Sequence, residues 1–180
     1  MDEWHKRVRF RPSRQVVSVC TFGDVYKRQM LEDCLWLVCQ SDEQAADAAE
    51  RAADAMTNFG QAAGLLALDA IGRQEHPAVV DRLADIVAST LPGPQAYPVL
   101  LDLFERRLDA RAFYARCLAK LGEEAAIEPL TAAMRADVLT YYDYLALRDA
   151  VEELGGLVEI ERVFDGDADY QRMQDWGEES

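Results

Sequence analysis

Cys117-Leu118-Ala119-Lys120-Leu121-Gly122-Glu123-Glu124-Ala125-Ala126-Ile127-Glu128-Pro129-Leu130 joins the end of one helix to the start of the next. A small residue at 117 lets a neighbouring helix approach, and Leu118 and Leu121, three apart, point to one face. Gly122 can take the left-handed conformation that stops a helix, and Glu123-Glu124 suits the positive end of the one that follows. The pattern small, apolar, two variable, apolar, Gly recurs at Ala67–Gly72 and Ala150–Gly155, so the three copies begin 50 and 33 residues apart. Pro98-Val99-Leu100-Leu101 and Pro129-Leu130 lie about one repeat apart, each in the earlier helix of a pair. Periods of this size mean stacked helical hairpins.

Working outward, helical spacing continues in both directions. Leu31, Cys34, Leu35 and Val38 form a first apolar stripe; Ser41 is a plausible cap for a helix through Ala45, Ala49, Ala52, Ala53 and Met56, ended by Gly60. A third helix runs from Gln61 to Gly72, and Pro77 opens a fourth with Val79, Val80, Leu83, Ile86 and Val87 inward. Leu91-Pro92-Gly93-Pro94 is the clearest break. Helices then follow over Tyr97–Arg107, Ala110–Leu121, Glu123–Arg135 and Leu139–Leu154, with a shorter one over Leu157–Phe164. No strand-like alternation appears after residue 29, and the short loops favour antiparallel packing. The expected fold is all-α: one domain over residues 30–164, a right-handed α-solenoid of stacked antiparallel hairpins, followed by an acidic tail over 165–180.

Two resemblances refine this reading. Leu121-Gly122-Glu123-Glu124-Ala125-Ala126-Ile127-Glu128-Pro129-Leu130, with Met134, resembles HEAT repeats of the phycobilin-lyase type. That family shows a Leu-Gly, a small-apolar pair and then Pro-Leu. The likeness is good over Tyr97–Gly155 and thin over Leu31–Thr90. Tyr141-Tyr142 stands where the family has Val-Arg, and the 50-residue spacing implies an irregular or inserted helix at Pro77–Thr90. Some members assist chromophore attachment and many are scaffolds, so the resemblance implies binding rather than a reaction. Separately, Asp24-Val25-Tyr26-Lys27-Arg28-Gln29 resembles the in-frame translation of a transposon end used to prepare sequencing libraries. It implies that residues 1–29 are a non-native or disordered segment.

Charge limits the partners. The chain of 180 residues has a net charge of -14, with seven Lys/Arg against three Asp/Glu in residues 1–29 and twelve against thirty thereafter. Such a body repels phosphate backbones, so no nucleic-acid partner is expected, while a basic partner is conceivable. No apolar run approaches membrane-spanning length, and the basic start, broken by Pro12, lacks a signal-peptide core. Cys20, Cys34, Cys39 and Cys117 have neither metal-site spacing nor a nearby His, and read as free thiols in a reducing cytoplasm.

Candidates for chemistry are few. His76 reads as a capping or solvated residue, lacking a nucleophile or carboxylate partner in sequence. Asp165-Gly166-Asp167-Ala168-Asp169 imitates a calcium loop, but Tyr170 sits where that loop needs Gly and Trp176 where it needs Glu. Tyr144 continues the stripe Leu147, Val151 and Leu154 and is expected in the core, so at least one of Tyr141 and Tyr142 should reach the surface. With Arg148, and with Arg107 and Arg111 at a helix junction, these tyrosines are the candidate partner-binding residues. No catalytic residue, cofactor or metal is expected. The expected function is a non-enzymatic protein–protein interaction or scaffold module with an unidentified protein partner. The alternatives are an accessory or lyase-like enzyme subunit on the same scaffold, a nucleic-acid-repair relative, and a piece of a longer repeat array whose other repeats cover the Leu31–Val38 face.

Overall fold

Residues 22–136, 139–159 and 162–178 are described by a computed structural model. Their helices are α1 (Phe22–Val38), α2 (Ala46–Thr57), α3 (Gln61–Ile71), α4 (Pro77–Thr90), α5 (Gly93–Arg106), α6 (Arg111–Leu121), α7 (Ile127–Ala133), α8 (Tyr141–Glu153) and α9 (Ala168–Glu178), with no strand among the described residues. Single turns of 3-10 helix lead into α2, α6 and α7. The chain is therefore all-α, as its periodicity predicts.

Local chemistry sets the helix boundaries. Pro77 occupies the first turn of α4, where its missing N–H would have no partner in any case. Thr140 caps α8 by accepting the Asp143 N–H at 3.1 Å, and the Asp143 carboxylate accepts the Thr140 hydroxyl at 2.7 Å. Gly122 and Gly155 end α6 and α8 with φ of 74° and 84°, the left-handed region that the repeat pattern requires. Asp42, and not the expected Ser41, caps the 3-10 turn that leads into α2, by accepting the Gln44 N–H.

Packing follows the apolar faces. The pairs α1–α2, α3–α4, α5–α6 and α7–α8 are each in contact, and the even-numbered helices also touch in chain order: α2 on α4, α4 on α6, α6 on α8. Those four helices begin at Ala46, Pro77, Arg111 and Tyr141, that is 31, 34 and 30 residues apart. One continuous core runs from Leu31 to Phe164. Helix α4 sits at its centre, with Val79, Leu83, Ile86 and Val87 fully enclosed.

Several expectations change. Of the three glycine-ended segments, Ala67–Gly72 belongs to α3, outside the contacting series α2, α4, α6 and α8, while the other two lie on α6 and α8. Gly72 has φ of -64° and is not left-handed. Helix α4, expected to be irregular or inserted, is a helix of 14 residues that ends on extended Leu91 and Pro92 instead of a glycine. No helix forms over 156–159 or 162–164, whereas the acidic segment beyond 165 carries α9. Leu31, Leu35 and Val38 are buried within the core. Of the expected non-native segment, residues 22–29 form the first turns of α1, and the remainder lies outside the described residues.

Truncating the enclosed Leu83 to Ala should lower the unfolding free energy by about 3 kcal/mol. Leu65→Ala, at a site that is 46% exposed, should change it by about 0.5 kcal/mol or less. Chemical-denaturation midpoints of the two variants measure the difference.

Candidate functional site

Two clefts open on the row of even-numbered helices. The first, of about 330 Å³, lies between Glu50, Ala53 and Asp54 of α2, Ala78, Asp81, Arg82 and Asp85 of α4, and Phe113 of α6. The second, of about 380 Å³, lies between Arg116 and Ala119 of α6 and Tyr142, Leu145, Ala146, Asp149, Ala150 and Glu153 of α8. Both share one cause. Alanines at the helix–helix junction have no reach, so space remains where longer side chains would interdigitate.

The wall of the first cleft is fixed by three charged residues of α4. Arg82 donates to the backbone carbonyls of Val38 at 2.8 Å and Gln40 at 2.9 Å, holding the negative end of α1. Its Nε lies 3.5 Å from a Glu50 carboxylate oxygen. Asp81 accepts the Tyr114 hydroxyl at 2.6 Å and an Arg107 N–H at 3.3 Å. Asp85 meets the Lys120 ammonium at 3.2 Å. Burial first, and then the hydrogen bond to Asp81, raise the Tyr114 phenol well above its ordinary value, so it stays a donor. Burial, assisted by nearby Asp85, pushes the Cys117 thiol up to about 12.

Of the residues expected to bind a partner, Tyr142 alone lines a cleft, with 60% of its surface exposed. Tyr144 is buried as expected. Tyr141 turns to the other side, its ring 5.1 Å from Tyr170 and 5.5 Å from Phe164, while its N–H donates to Asp167. Asp167 also accepts the N–H groups of Asp169 and Tyr170, so one carboxylate caps both α8 and α9. That gives the calcium-like segment a structural task. Arg148 pairs along its own helix with Asp149 at 3.2 Å and lies 3.9 Å from Glu152. Arg107 grips Asp109 and Asp81, its guanidinium 6.0 Å from the Tyr114 ring centre, and Arg111 lies 6.0 Å from that of Phe104. The hydrogen bond to Asp109 raises the Arg107 pKa and lowers that of Asp109.

His76 is exposed at the head of α4 and makes no side-chain cap bond. Cys34 and Cys39 are half-buried free thiols, and Cys20 lies outside the described residues. Among the described residues no three His, Cys, Asp or Glu side chains converge as a metal site, and no helix is long and apolar enough to cross a membrane. The sequence reading missed Glu50, Asp54, Asp81, Asp85 and Phe113. The available signal was Asp81, Arg82 and Asp85 interrupting the apolar stripe Val79, Val80, Leu83, Ile86 and Val87. Comparisons of this chain with protein-family models, curated proteins and solved structures find no match.

Replacing Tyr114 with Phe removes a hydrogen bond to a carboxylate and should destabilise the chain by about 1–2 kcal/mol in urea titrations. Burial holds the Cys117 thiol protonated. Folding favours the protonated thiol, so its contribution is complete below the ordinary value of 9.0 and is lost as pH rises toward about 12. In alkylation with iodoacetamide at neutral pH, Cys117 should react only after unfolding.

Proposed function

We propose that this chain is a non-enzymatic protein-interaction module: a HEAT-like α-solenoid of stacked antiparallel hairpins whose even-numbered helices form the binding face. One observation carries the reading. Both clefts fall on the single row α2–α4–α6–α8, whose helices recur every 30 to 34 residues. A row of rigid helices holds side chains in a fixed array without a mobile loop, which suits recognition of an extended or helical partner. Tyr142 at the second cleft has the character of an anchor: large, amphipathic and low in conformational entropy. Carboxylates along the row disfavour nucleic acid. The proposed setting is the cytoplasm, and a longer repeat array is compatible with the same face.

The test is affinity capture from cells that make the protein, using the intact chain and its Tyr142→Ala variant. A defined set of proteins should be retained by the intact chain and depleted about tenfold by the variant, with identical circular-dichroism melting curves. No retained set, or one insensitive to Tyr142 but lost on Leu65→Ser in α3, would overturn the assignment of the even row as the binding face.

A further inference from the structure

We propose that the cleft between α2, α4 and α6 docks a basic segment of a partner protein, whose Lys or Arg side chains meet Glu50 and Asp54. This inference rests on the interaction-module reading and specifies the chemistry of the partner.

The floor of the cleft is apolar, with Ala53, Ala78 and Phe113, and its rim is acidic. The cation that lines it, and those that pair with its α4 carboxylates, already have partners. Arg82, with only 9% of its side chain exposed, points its guanidinium at the carbonyls closing α1. Arg107 and Lys120 are engaged by Asp81, Asp109 and Asp85. On the α2 side the balance differs. Glu50 is 67% exposed, and its 3.5 Å separation from Arg82 exceeds a good charge-assisted hydrogen bond. Asp54, one helical turn further on, is exposed. Two carboxylates at i and i+4 thus stand on the lip of an apolar trough beside a phenyl ring, and such a ring attracts a guanidinium to its face.

The distribution of these carboxylates decides the class of ligand. They do not gather into a metal site, so a single small cation has no cage there. Spread along a trough, they match a chain bearing several cations, with aliphatic stems that cover the alanines. A phosphate-bearing partner would be repelled. The excess of eighteen acidic residues beyond residue 29 favours encounter with a basic segment from a distance.

The probe is a fluorescently labelled peptide alternating arginine and alanine, titrated with the full chain and followed by anisotropy. Glu50→Gln with Asp54→Asn should weaken binding about tenfold. Glu105→Gln with Asp175→Asn, which removes the same charge from exposed positions outside the cleft, should weaken it about twofold or less. Equal weakening by both pairs would assign the attraction to overall charge and overturn the proposal, as would absence of binding to the unmodified chain. The two readings fail separately: proteins still captured through Tyr142 alongside an insensitive peptide would remove this docking assignment alone.

Discussion

Helix α4 has to bury a broad apolar arc and, on the same fourteen residues, carry Asp81, Arg82 and Asp85. The rest of the structure depends on how that conflict is met. Val79, Val80, Leu83, Ala84, Ile86, Val87 and Ala88 leave little of its circumference for water, and helices α1, α2, α3, α5 and α6 all contact it. Charged groups in such surroundings must find partners or remain wet. Asp81 finds Tyr114 and Arg107, Arg82 finds the end of α1, and Asp85 finds Lys120. The same residues therefore tie α4 to its neighbours in both directions along the chain.

The first cleft is a by-product of this arrangement. Polar side chains that reach sideways to their partners leave the alanines beneath them uncovered. Ala53 and Ala78 let α2 and α4 approach, yet they do not fill the surface between them. Small residues thus have two effects here: close helix contact below and a trough above. The second cleft repeats the logic, with Ala119, Ala146 and Ala150 between α6 and α8. Its aromatic wall is Tyr142, which faces outward because Tyr141 and Tyr144 are held by Phe164 on another side of the helix.

Much of the fold was legible in the residues. The apolar spacing of α2 and α4 is strong, Pro77 and Gly122 mark boundaries by backbone chemistry, and Tyr144 follows the core stripe. The series of contacting helices α2, α4, α6 and α8 was harder to read. A glycine-ended pattern identifies a way of stopping a helix and not the row that the helix occupies; Gly72 carries the pattern on α3, while α4 occupies the row and stops without glycine. Helix α9 was hidden because its acidic composition resembles a solvated tail, and its start depends on Asp167 accepting N–H groups from two helices that are distant in sequence.

Local sequence by itself determined the helices from α2 to α8, since propensity, capping and hydrophobic period act within a few residues. It also determined the acidity that shapes every candidate partnership. Tertiary structure decided which charges are satisfied and which remain open to a ligand. Arg107 and Arg148 look available as text, but side-chain geometry gives them to Asp81 and Asp109, and to Asp149. Asp54 and Glu50 look ordinary, yet they border a cleft. The physical reason is that the Arg107–Asp81 pair and the trough beside Glu50 are set by distances between separate helices, which no local pattern encodes.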